Sequence, residues 1–340
     1  MVNIKTVATI AGVSPSTVSR VLGGTSYVKQ ETKEKVLKVI RETGYAPNAL
    51  AKSLKEGRSN TICLLMPSIQ NLIFPIITQG VEDTARKHGF SVILCNTNED
   101  VQVESAYIDK MRQRWVDGFI LCEVAKDNTE YVDALHQEQF PFVLVARFNP
   151  QDQGQLNIVS VDNYGATYQA VSHLIETGHR QIAIAVGSEQ LHFYEERLRG
   201  YQAALTDHGM EVNPALILNQ GSGDESFYAQ TKCLMETHPT VDAIFCTADP
   251  KAFVVLRALH DMKIQVPTQV SVMGFDNVPL SALMEPPLST VSQPLYQMGV
   301  LAATNLIKQI LHKEKSGTLP PPVHDVMQTE IILRKSTCIR

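Results

Sequence analysis

Residues 6–22 read TVATIAGVSPSTVSRVL, and this stretch predicts two short helices joined by a tight turn. Gly12 gives the turn the backbone freedom that two crossed helices need. Ser14 followed by Pro15 is the pattern of an N-cap and a first-turn proline, so the second helix should begin there. That helix would present short hydroxyl side chains and one arginine, which can contact base edges and phosphates in a major groove: Ser16, Thr17, Ser19 and Arg20.

The residues before position 47 predict three short amphipathic helices, because apolar side chains recur three or four positions apart. The spacing is seen at Val7, Ile10 and Ala11, at Val18, Val21 and Leu22, and at Val36, Leu37 and Ile40. A helical hairpin packed on a larger domain would give the same spacing. The spacing alone therefore leaves both alternatives open.

The charge of the chain favours the DNA-binding alternative. Residues 1–58 contain ten lysines and arginines against four acidic residues, a net charge of +6, whereas the whole chain carries −5. The remaining residues therefore carry −11. A basic head on an acidic body is typical of a nucleic-acid-binding module attached to a second domain.

From residue 61 onward, short apolar runs alternate with amphipathic stretches. The runs predict strands at 61–67, 91–97, 118–122, 141–146, 158–162, 181–186, 215–218, 243–248 and 270–276. Helices are predicted between them at 74–88, 164–177, 195–208 and 250–262. This α/β alternation predicts doubly wound parallel sheets covered by helices on both faces. It occurs twice, so we expect two similar lobes with a ligand cleft between them, at the carboxyl ends of the strands.

Several classes of protein are disfavoured by features that the sequence lacks. No window approaches the roughly 18 consecutive apolar residues of a membrane span, and residues near the N-terminus do not form a secretory signal, so we expect a cytoplasmic protein. The sequence contains no catalytic motif, dinucleotide loop or metal-ligand spacing. We therefore expect that the protein is not an enzyme and that it binds no cofactor or metal. The competing class is a solute-binding protein of a sugar transport system, which shares a two-lobed body but needs export and has no basic head.

The sequence resembles the LacI/GalR family of bacterial transcription regulators along its whole length. The resemblance is strongest in VATIAGVSPSTVSRVL at 7–22, in YAPN at 45–48, in AKSL at 51–54, in VSVMGFDN at 270–277 and in LSTV at 288–291. Thr6 departs from the acidic residue that the family usually has there, and it should alter a contact at the start of the first helix. The resemblance implies a repressor that binds a pseudopalindromic operator in double-stranded DNA as a homodimer.

The family resemblance also implies the division of the chain. It implies a helix-turn-helix domain at 1–46, a hinge helix and linker at 47–58, and a periplasmic-binding-protein-like core at 59–340. Within the core, we expect the first lobe at about 61–157 and 291–322 and the second at about 158–290 and 323–340. Effector binding would change the closure of the lobes and the spacing of the two hinges. It would thereby be coupled to DNA affinity, typically by about 1–3 kcal/mol.

The hinge begins with Pro47, which ends the preceding helix. Residues 48–54 have helical composition but are too few to form a stable isolated helix in water. The resemblance implies that this helix enters the minor groove, where Leu54 would wedge between base pairs beside Lys52 and Lys55. Packing of Leu54 on the core is the alternative. The DNA-binding set implied by the resemblance also includes Tyr27, Asn48 and Ala51.

The resemblance implies an effector site in the cleft, for a sugar or a sugar derivative. Arg197 and Asp276 match the family's cleft arginine and its hydroxyl-binding carboxylate, although each could instead form a structural ion pair or a cap. Further candidate effector-binding residues are Phe74, Arg147, Glu225 and Asp249. Phe74 could equally belong to the core, and Asp249 could cap a helix.

Three positions depart from the family members that bind neutral sugars: Ile73, Ala146 and Glu225. Arg147 therefore lacks an acidic neighbour on its N-terminal side. Together with Arg197, it favours an anionic ligand such as a sugar acid or a sugar phosphate, because guanidinium groups match carboxylate and phosphate geometry. Glu225 argues against such a ligand if it also faces the cleft.

Overall fold

The computed structural model describes residues 2–23, 28–45, 58–113, 115–122, 130–187, 191–219 and 225–340, without the side chains of residues 225 and 226. The chain divides into two compact units, Met1–Ser59 and Asn60–Arg340. Within the described residues, no helix is both long enough and apolar enough to cross a membrane.

The first unit contains three helices among its described residues: α1 (Ile4–Ala11), α2 (Pro15–Gly23) and α3 (Gln30–Thr43). Asn3 caps α1, and its side-chain oxygen accepts hydrogen bonds from both the backbone N–H and the hydroxyl of Thr6, at 3.0 and 3.2 Å. Thr6 thus contacts the capping residue at the start of this helix. Gly12 has a φ of 62°, which confirms the predicted turn between α1 and α2.

The core of the first unit is built almost entirely from valine and alanine. Its buried members are Val7, Ala8, Ala11, Val18, Val21, Val36 and Val39. The prediction for Ile10 was wrong, because this side chain is 55% exposed and Ala8 takes the buried position. An alanine at that position lets three short helices approach closely, whereas an isoleucine would separate them.

The second unit contains two six-stranded sheets. The first sheet has the order β11-β5-β4-β3-β1-β2 and the second β12-β10-β9-β8-β6-β7. All neighbouring strands are parallel except β10 and β12. The strands of the first sheet are β1 (Thr61–Met66), β2 (Ser91–Asn96), β3 (Gly118–Leu121), β4 (Phe142–Val145), β5 (Ile158–Val161) and β11 (His324–Met327). Those of the second are β6 (Ile182–Val186), β7 (Ile217–Asn219), β8 (Ala243–Cys246), β9 (Ser271–Asp276), β10 (Ser289–Ser292) and β12 (Glu330–Ile332).

Helices cover both faces of each sheet, as predicted. The helices on the first sheet are α4 (Ile73–Lys87), α5 (Val101–Arg112), α6 (Glu130–Gln137) and α11 (Leu295–Ser316). Those on the second are α7 (Asn163–Glu176), α8 (His192–Asp207), α9 (Glu225–Thr237) and α10 (Asp249–Asp261). Strand β1 illustrates why two layers are needed: Leu64 packs with α4 and α11, whereas the next residue, Leu65, packs with α5 and α6.

Two of the expected lobe boundaries were wrong. Strand β5 pairs with β4 through Leu144 and Ile158, and β11 pairs with β5 through His324 and Ile158. Residues 158–161 and 324–327 therefore belong to the first lobe and not to the second. The chain passes between the lobes after β5, after β10 and after β11. Strand partnership depends on contacts between distant parts of the chain, which the local apolar pattern does not contain.

Helices α4 and α11 approach each other closely enough to bring their backbones into contact. A Cβ atom added at Gly80 would lie 2.1 Å from the carbonyl oxygen of Tyr296, and one added at Gly299 would lie 2.1 Å from that of Ile77. Real Cβ atoms do not come so close to other atoms. Glycine is therefore required at both positions of this crossing, which holds α11 against the first sheet.

Candidate functional site

The first candidate surface is the outer face of α2. Ser14 caps this helix, because its hydroxyl oxygen accepts a hydrogen bond from the Thr17 N–H at 3.1 Å. The same hydroxyl lies 2.7 Å from that of Ser16 and 2.9 Å from that of Thr17. Ser16 is exposed and Thr17 is half-buried, whereas Val18 packs into the core. The predicted N-cap and first-turn proline are thus confirmed, and they place a cluster of hydroxyl groups at the start of the helix.

The described residues of the first unit also carry exposed cations on α2 and α3. Pro15 and Arg20 are exposed, and Ser19 is half-buried. Exposed lysines and arginines continue on α3 at Lys33, Lys35, Lys38 and Arg41. The predicted DNA-binding residues Tyr27, Asn48, Ala51, Lys52, Leu54 and Lys55 lie outside the described residues.

The second candidate site lies at the carboxyl ends of the strands in the second unit. Several non-glycine residues there have a positive φ, a conformation that costs free energy and is concentrated at functional sites. They follow β2, β4 and β9: Asn98, Glu99, Ala146, Asp276 and Asn277. Asp276 has the largest φ of these, 119°.

Arg197 lies on α8 and is only 4% exposed. Its Nε donates to the side-chain oxygen of Asn163 at 2.9 Å, and its Nη1 donates to the carbonyl oxygen of Thr247 at 2.5 Å. The guanidinium carbon is 3.5 Å from the ring centroid of Phe275. These contacts hold Arg197 in one orientation against Asn163 after β5, Thr247 after β8 and Phe275 within β9.

Asp276 ends β9 beside Arg197. Its Oδ1 accepts a hydrogen bond from the Gln293 side chain at 2.7 Å and lies 4.0 Å from Arg197 Nη1. Burial raises the pKa of Asp276 to about 7, and the positive charge of Arg197 only partly opposes this shift. The ionised carboxylate can accept hydrogen bonds from two ligand hydroxyls.

Arg147 follows β4 in the first lobe and is 8% exposed. Its Nη2 is 3.4 Å from Glu99 Oε1, and its guanidinium carbon lies 5.7 Å from the Phe193 ring of the second lobe. Arg197 lies 5.1 Å from the same ring. The structure thus brings together Arg147, Arg197 and Asp276, all predicted from the sequence.

Two other predicted effector-binding residues belong to the packed interior. Phe74 is 1% exposed and lies in the core of the first lobe, so it offers no open face for stacking, although Arg147 lies 5.9 Å from its ring. Asp249 is fully buried. Its carboxylate accepts hydrogen bonds from Val278 N–H and from the hydroxyls of Ser281 and Thr290, at 2.9, 2.5 and 2.6 Å.

Of the alternatives left open for these residues, the contacts favour a core position for Phe74 and a structural role for Asp249, and effector binding by either stays a prediction. Phe74 stabilises the interior of the first lobe, and Asp249 ties the start of α10 to β10 and to the turn after β9. The backbone of Glu225 begins α9, but its side chain lies outside the description, so the prediction for it stays a prediction.

Three residues of the site were missed by sequence reasoning: Phe193, Tyr194 and Lys251. The Phe193 and Tyr194 rings lie 4.1 Å apart, and the Lys251 ammonium donates to the Tyr194 hydroxyl at 2.7 Å. The two aromatic residues precede Arg197 by one helical turn, so their spacing could have placed them on its face. The signal for Lys251 was a cation in the first turn of a helix, where the helix dipole disfavours positive charge.

The two lobes also touch beside this site. The ring of Phe148, which follows β4, lies 5.3 Å from His324 of the first sheet and 6.3 Å from His192 of α8, in edge-to-face geometry. His192 in turn lies 3.4 and 3.5 Å from the carboxylates of Glu195 and Glu196. A change in the angle between the lobes would alter this contact directly.

Comparison with known proteins identifies both units. Residues 3–48 match the model of the bacterial regulatory proteins of the lacI family. Residues 59–323 match the model of the periplasmic binding proteins and sugar binding domain of the LacI family. A solute-binding protein of a transport system would not account for the first match.

Full-length relatives agree with the family models. The ribose operon repressor of Halalkalibacterium halodurans is 36% identical over 313 residues, 92% of each chain. The transcriptional repressor CytR of Escherichia coli K12 is 33% identical over 98% of this chain and 96% of its own. These relatives are transcriptional regulators and not enzymes, as predicted.

Solved structures agree as well. The complex of the regulator CelR with cellobiose matches with a TM-score of 0.75 and 30% identity, covering 99% of this chain and all of that one. The Lac repressor dimer bound to operator and an anti-inducer matches with a TM-score of 0.86 and 25% identity, covering 99% of each chain. The resemblance noted in the sequence is confirmed: the chain belongs to the LacI family of bacterial transcriptional regulators, with a helix-turn-helix DNA-binding domain and a sugar-binding domain.

Proposed function

We propose that this regulator is a repressor that binds a pseudopalindromic operator as a homodimer and responds to a sugar or sugar derivative in the interlobe cleft. The observation that carries the proposal is that Arg197 lies beside Asp276 at the end of β9, while Arg147 of the first lobe approaches the same Phe193 ring as Arg197. A charged, oriented cluster of this kind suits a polar small molecule. Since the chain acts on DNA, we propose that it works in the cytoplasm.

The outer face of α2 would read the major groove of each half-site. Ser16, Thr17 and Ser19 supply hydroxyls that can donate to or accept from base edges and phosphates, and Arg20 supplies a guanidinium that fits the two acceptors of a guanine. Ser14 and Pro15 fix where the helix begins, so they set which turn of α2 enters the groove. The exposed cations of α3 would add sequence-independent attraction to phosphates.

The hinge at 47–58 would supply a second contact in the minor groove. Leu54 is the proposed wedge between base pairs, and Lys52 and Lys55 the proposed phosphate contacts, with Asn48 and Ala51 on the same short helix. Tyr27 would contact the DNA backbone beside α2. Unstacking costs a few kcal/mol, which the contacts made to bent DNA offset.

A single head contacts only half of an operator, so tight binding requires two copies. Exposed apolar side chains of the second unit support a homodimer. Ile69 and Leu94 of the first lobe are 56% and 44% exposed, and Leu280 and Leu283 of the second are 42% and 80% exposed. We propose that these side chains are buried at the interface between the two copies.

The effector would bind between the lobes, where its hydroxyls donate to Asp276 and accept from Arg197. Arg147 would hold it from the first lobe. Cellobiose in the CelR complex supports a sugar-like ligand. A bound effector would change the lobe angle at the Phe148 and His192 contact, and would couple to DNA affinity by about 1–3 kcal/mol, the range typical of allosteric linkage.

The experiment that tests this proposal is selection of sequences bound by the purified full-length protein from random duplex DNA, with and without a panel of sugars. We expect an inverted repeat, and a change in the affinity for it of about 5- to 150-fold when the effector is present. Arg197→Ala should retain the selected sequence but lose the response to the sugar. Selection of no sequence, or of unpaired half-sites only, would contradict the proposal.

A further inference from the structure

Lys251 is an interior cation with an incomplete set of partners. It lies in the first turn of α10 and is only 6% exposed. Its Nζ donates to the Tyr194 hydroxyl at 2.7 Å and lies 4.4 Å from the Tyr194 ring centroid and 5.9 Å from that of Phe227. Within the described part of the chain, the Tyr194 oxygen is its only hydrogen-bond acceptor, and no carboxylate oxygen lies within 4.0 Å.

Such an arrangement is costly unless another group completes it. An ammonium has three N–H donors, and one of them is used here. A buried charge is normally paired with an opposite charge, and a cation in the first turn of a helix is opposed by the helix dipole. Asp249 lies in the same turn, but its oxygens accept from Val278, Ser281 and Thr290 and not from Lys251.

Lys251 shares its surroundings with the two arginines of the site. Arg197 lies 5.9 Å from the Tyr194 ring that Lys251 contacts, and Arg147 and Arg197 lie against the adjacent Phe193 ring. Three buried cations therefore converge on one pair of aromatic rings.

Three acidic groups, Asp249, Glu196 and Asp276, lie near Arg197, but within the described residues none of them accepts a hydrogen bond from Arg197 or Lys251. Asp276 lies 4.0 Å from Arg197, and burial raises its pKa to about 7, so a part of the population is protonated near neutral pH. Glu195 and Glu196 lie against His192.

We propose that Lys251 and Arg197 form an anion-binding subsite in the second lobe, and that the effector is a sugar carrying a carboxylate or a phosphate. This inference rests on the proposed function and specifies its ligand. The ammonium donates its remaining N–H groups to the ligand anion while Tyr194 holds it in place. The sugar hydroxyls go to Asp276, and Lys251 is the residue that makes the site select an anionic ligand over its neutral parent.

The test compares matched ligands on the full-length protein at constant ionic strength. The anionic probes are glucose 6-phosphate, ribose 5-phosphate, gluconate, glucuronate and inorganic phosphate, and the neutral probes are glucose and ribose. Thermal shift identifies the probes that bind, and calorimetry gives their dissociation constants. Comparison of the phosphate probes with the carboxylate probes shows which kind of anion the site binds.

Three variants accompany the wild type. Lys251→Met keeps the length of the side chain and removes its charge, Lys251→Arg keeps the charge, and Lys308→Met makes the same charge change at an exposed position of α11. Melting without ligand shows whether each variant is folded. We expect at least one anionic probe to bind the wild type, Lys251→Arg and Lys308→Met. The same probe should bind Lys251→Met about tenfold more weakly, because one charged hydrogen bond is lost.

The proposal is overturned if no anionic probe binds the wild type better than it binds Lys251→Met. Operator affinity, measured on the same preparations, separates this failure from that of the proposed function. A protein that binds an inverted repeat and responds only to glucose or ribose keeps the proposed function and loses the anion subsite. A protein that binds no operator loses the proposed function itself.

Discussion

Replacing Asp276 by asparagine removes a buried charge and keeps the shape of the side chain. The asparagine oxygen can still accept from Gln293, and asparagine tolerates the positive φ at this position better than most residues. The pKa of Asp276 is raised from 3.8 to about 7 by burial, so the folded state binds more protons than the unfolded state between these values. Wild-type stability contributed by this group is therefore fully present below pH 4 and is lost as the pH rises through 7.

The size of the effect follows from the pKa shift. A shift of one pKa unit corresponds to about 1.4 kcal/mol, so the whole titration is worth at most about 4 kcal/mol. Asp276→Asn lacks this titration. We expect the variant to gain stability relative to the wild type as the pH rises, by about 1 kcal/mol per pH unit between pH 5 and pH 7, and to keep a constant advantage above pH 8.

The assay is urea unfolding of the full-length protein, followed by far-ultraviolet circular dichroism at pH 5, 6, 7 and 8. Asp261→Asn is the matched control, because hydrogen bonds from Arg257 lower the pKa of Asp261 to about 2. The stability contributed by Asp261 is present above pH 4 and lost only as the pH falls towards 2, so this variant should show no slope between pH 5 and pH 8. If the free energies of unfolding of Asp276→Asn and wild type differ by the same amount at pH 5 and pH 8, Asp276 does not titrate in this range.

Three further predictions concern other parts of the chain. Ser14→Ala removes the oxygen that accepts from Thr17 N–H, and should lower the stability of the head by about 1 kcal/mol in thermal melts and weaken operator binding; unchanged melting would exclude a capping role. Leu54→Ala should abolish specific operator binding and leave folding and effector affinity intact, and unchanged affinity in a gel-shift titration would contradict the wedge. Gly299→Ala places a Cβ 2.1 Å from the Ile77 carbonyl oxygen and should destabilise the second unit by about 2 kcal/mol, and a urea midpoint equal to wild type would show that the helices can separate freely.

Local chemistry made much of the fold predictable from the sequence. The order of Ser14 and Pro15 located the start of α2, because a cap and a first-turn proline act within a single turn of chain. The predicted helix at 164–177 and the observed Asn163–Glu176 differ by one residue at each end, since the apolar periodicity of that segment has no competing interpretation.

Features that depend on distant contacts were not predictable in the same way. The segment at 158–161 reads as a buried strand in either lobe, and only its partners β4 and β11 assign it to the first. An aspartate at or just after the end of a strand has the same local pattern whether it lies beside an arginine, as Asp276 does beside Arg197, or is enclosed by Ser281 and Thr290, as Asp249 is. The sequence places Lys251 in the first turn of a helix, but the aromatic rings and the hydroxyl around its ammonium come from distant parts of the chain.

We propose that a dimer of this chain binds an inverted repeat in DNA and that a ligand between the lobes changes its affinity for that DNA. Fluorescence anisotropy with a labelled inverted-repeat duplex at moderate ionic strength tests this claim most directly, with a scrambled duplex of equal length as competitor. We expect saturation at two protomers per duplex, preference for the repeat by at least about a thousandfold, and a shift in affinity on adding the effector. Equal affinity for the two duplexes, with or without every sugar of the panel, would contradict it.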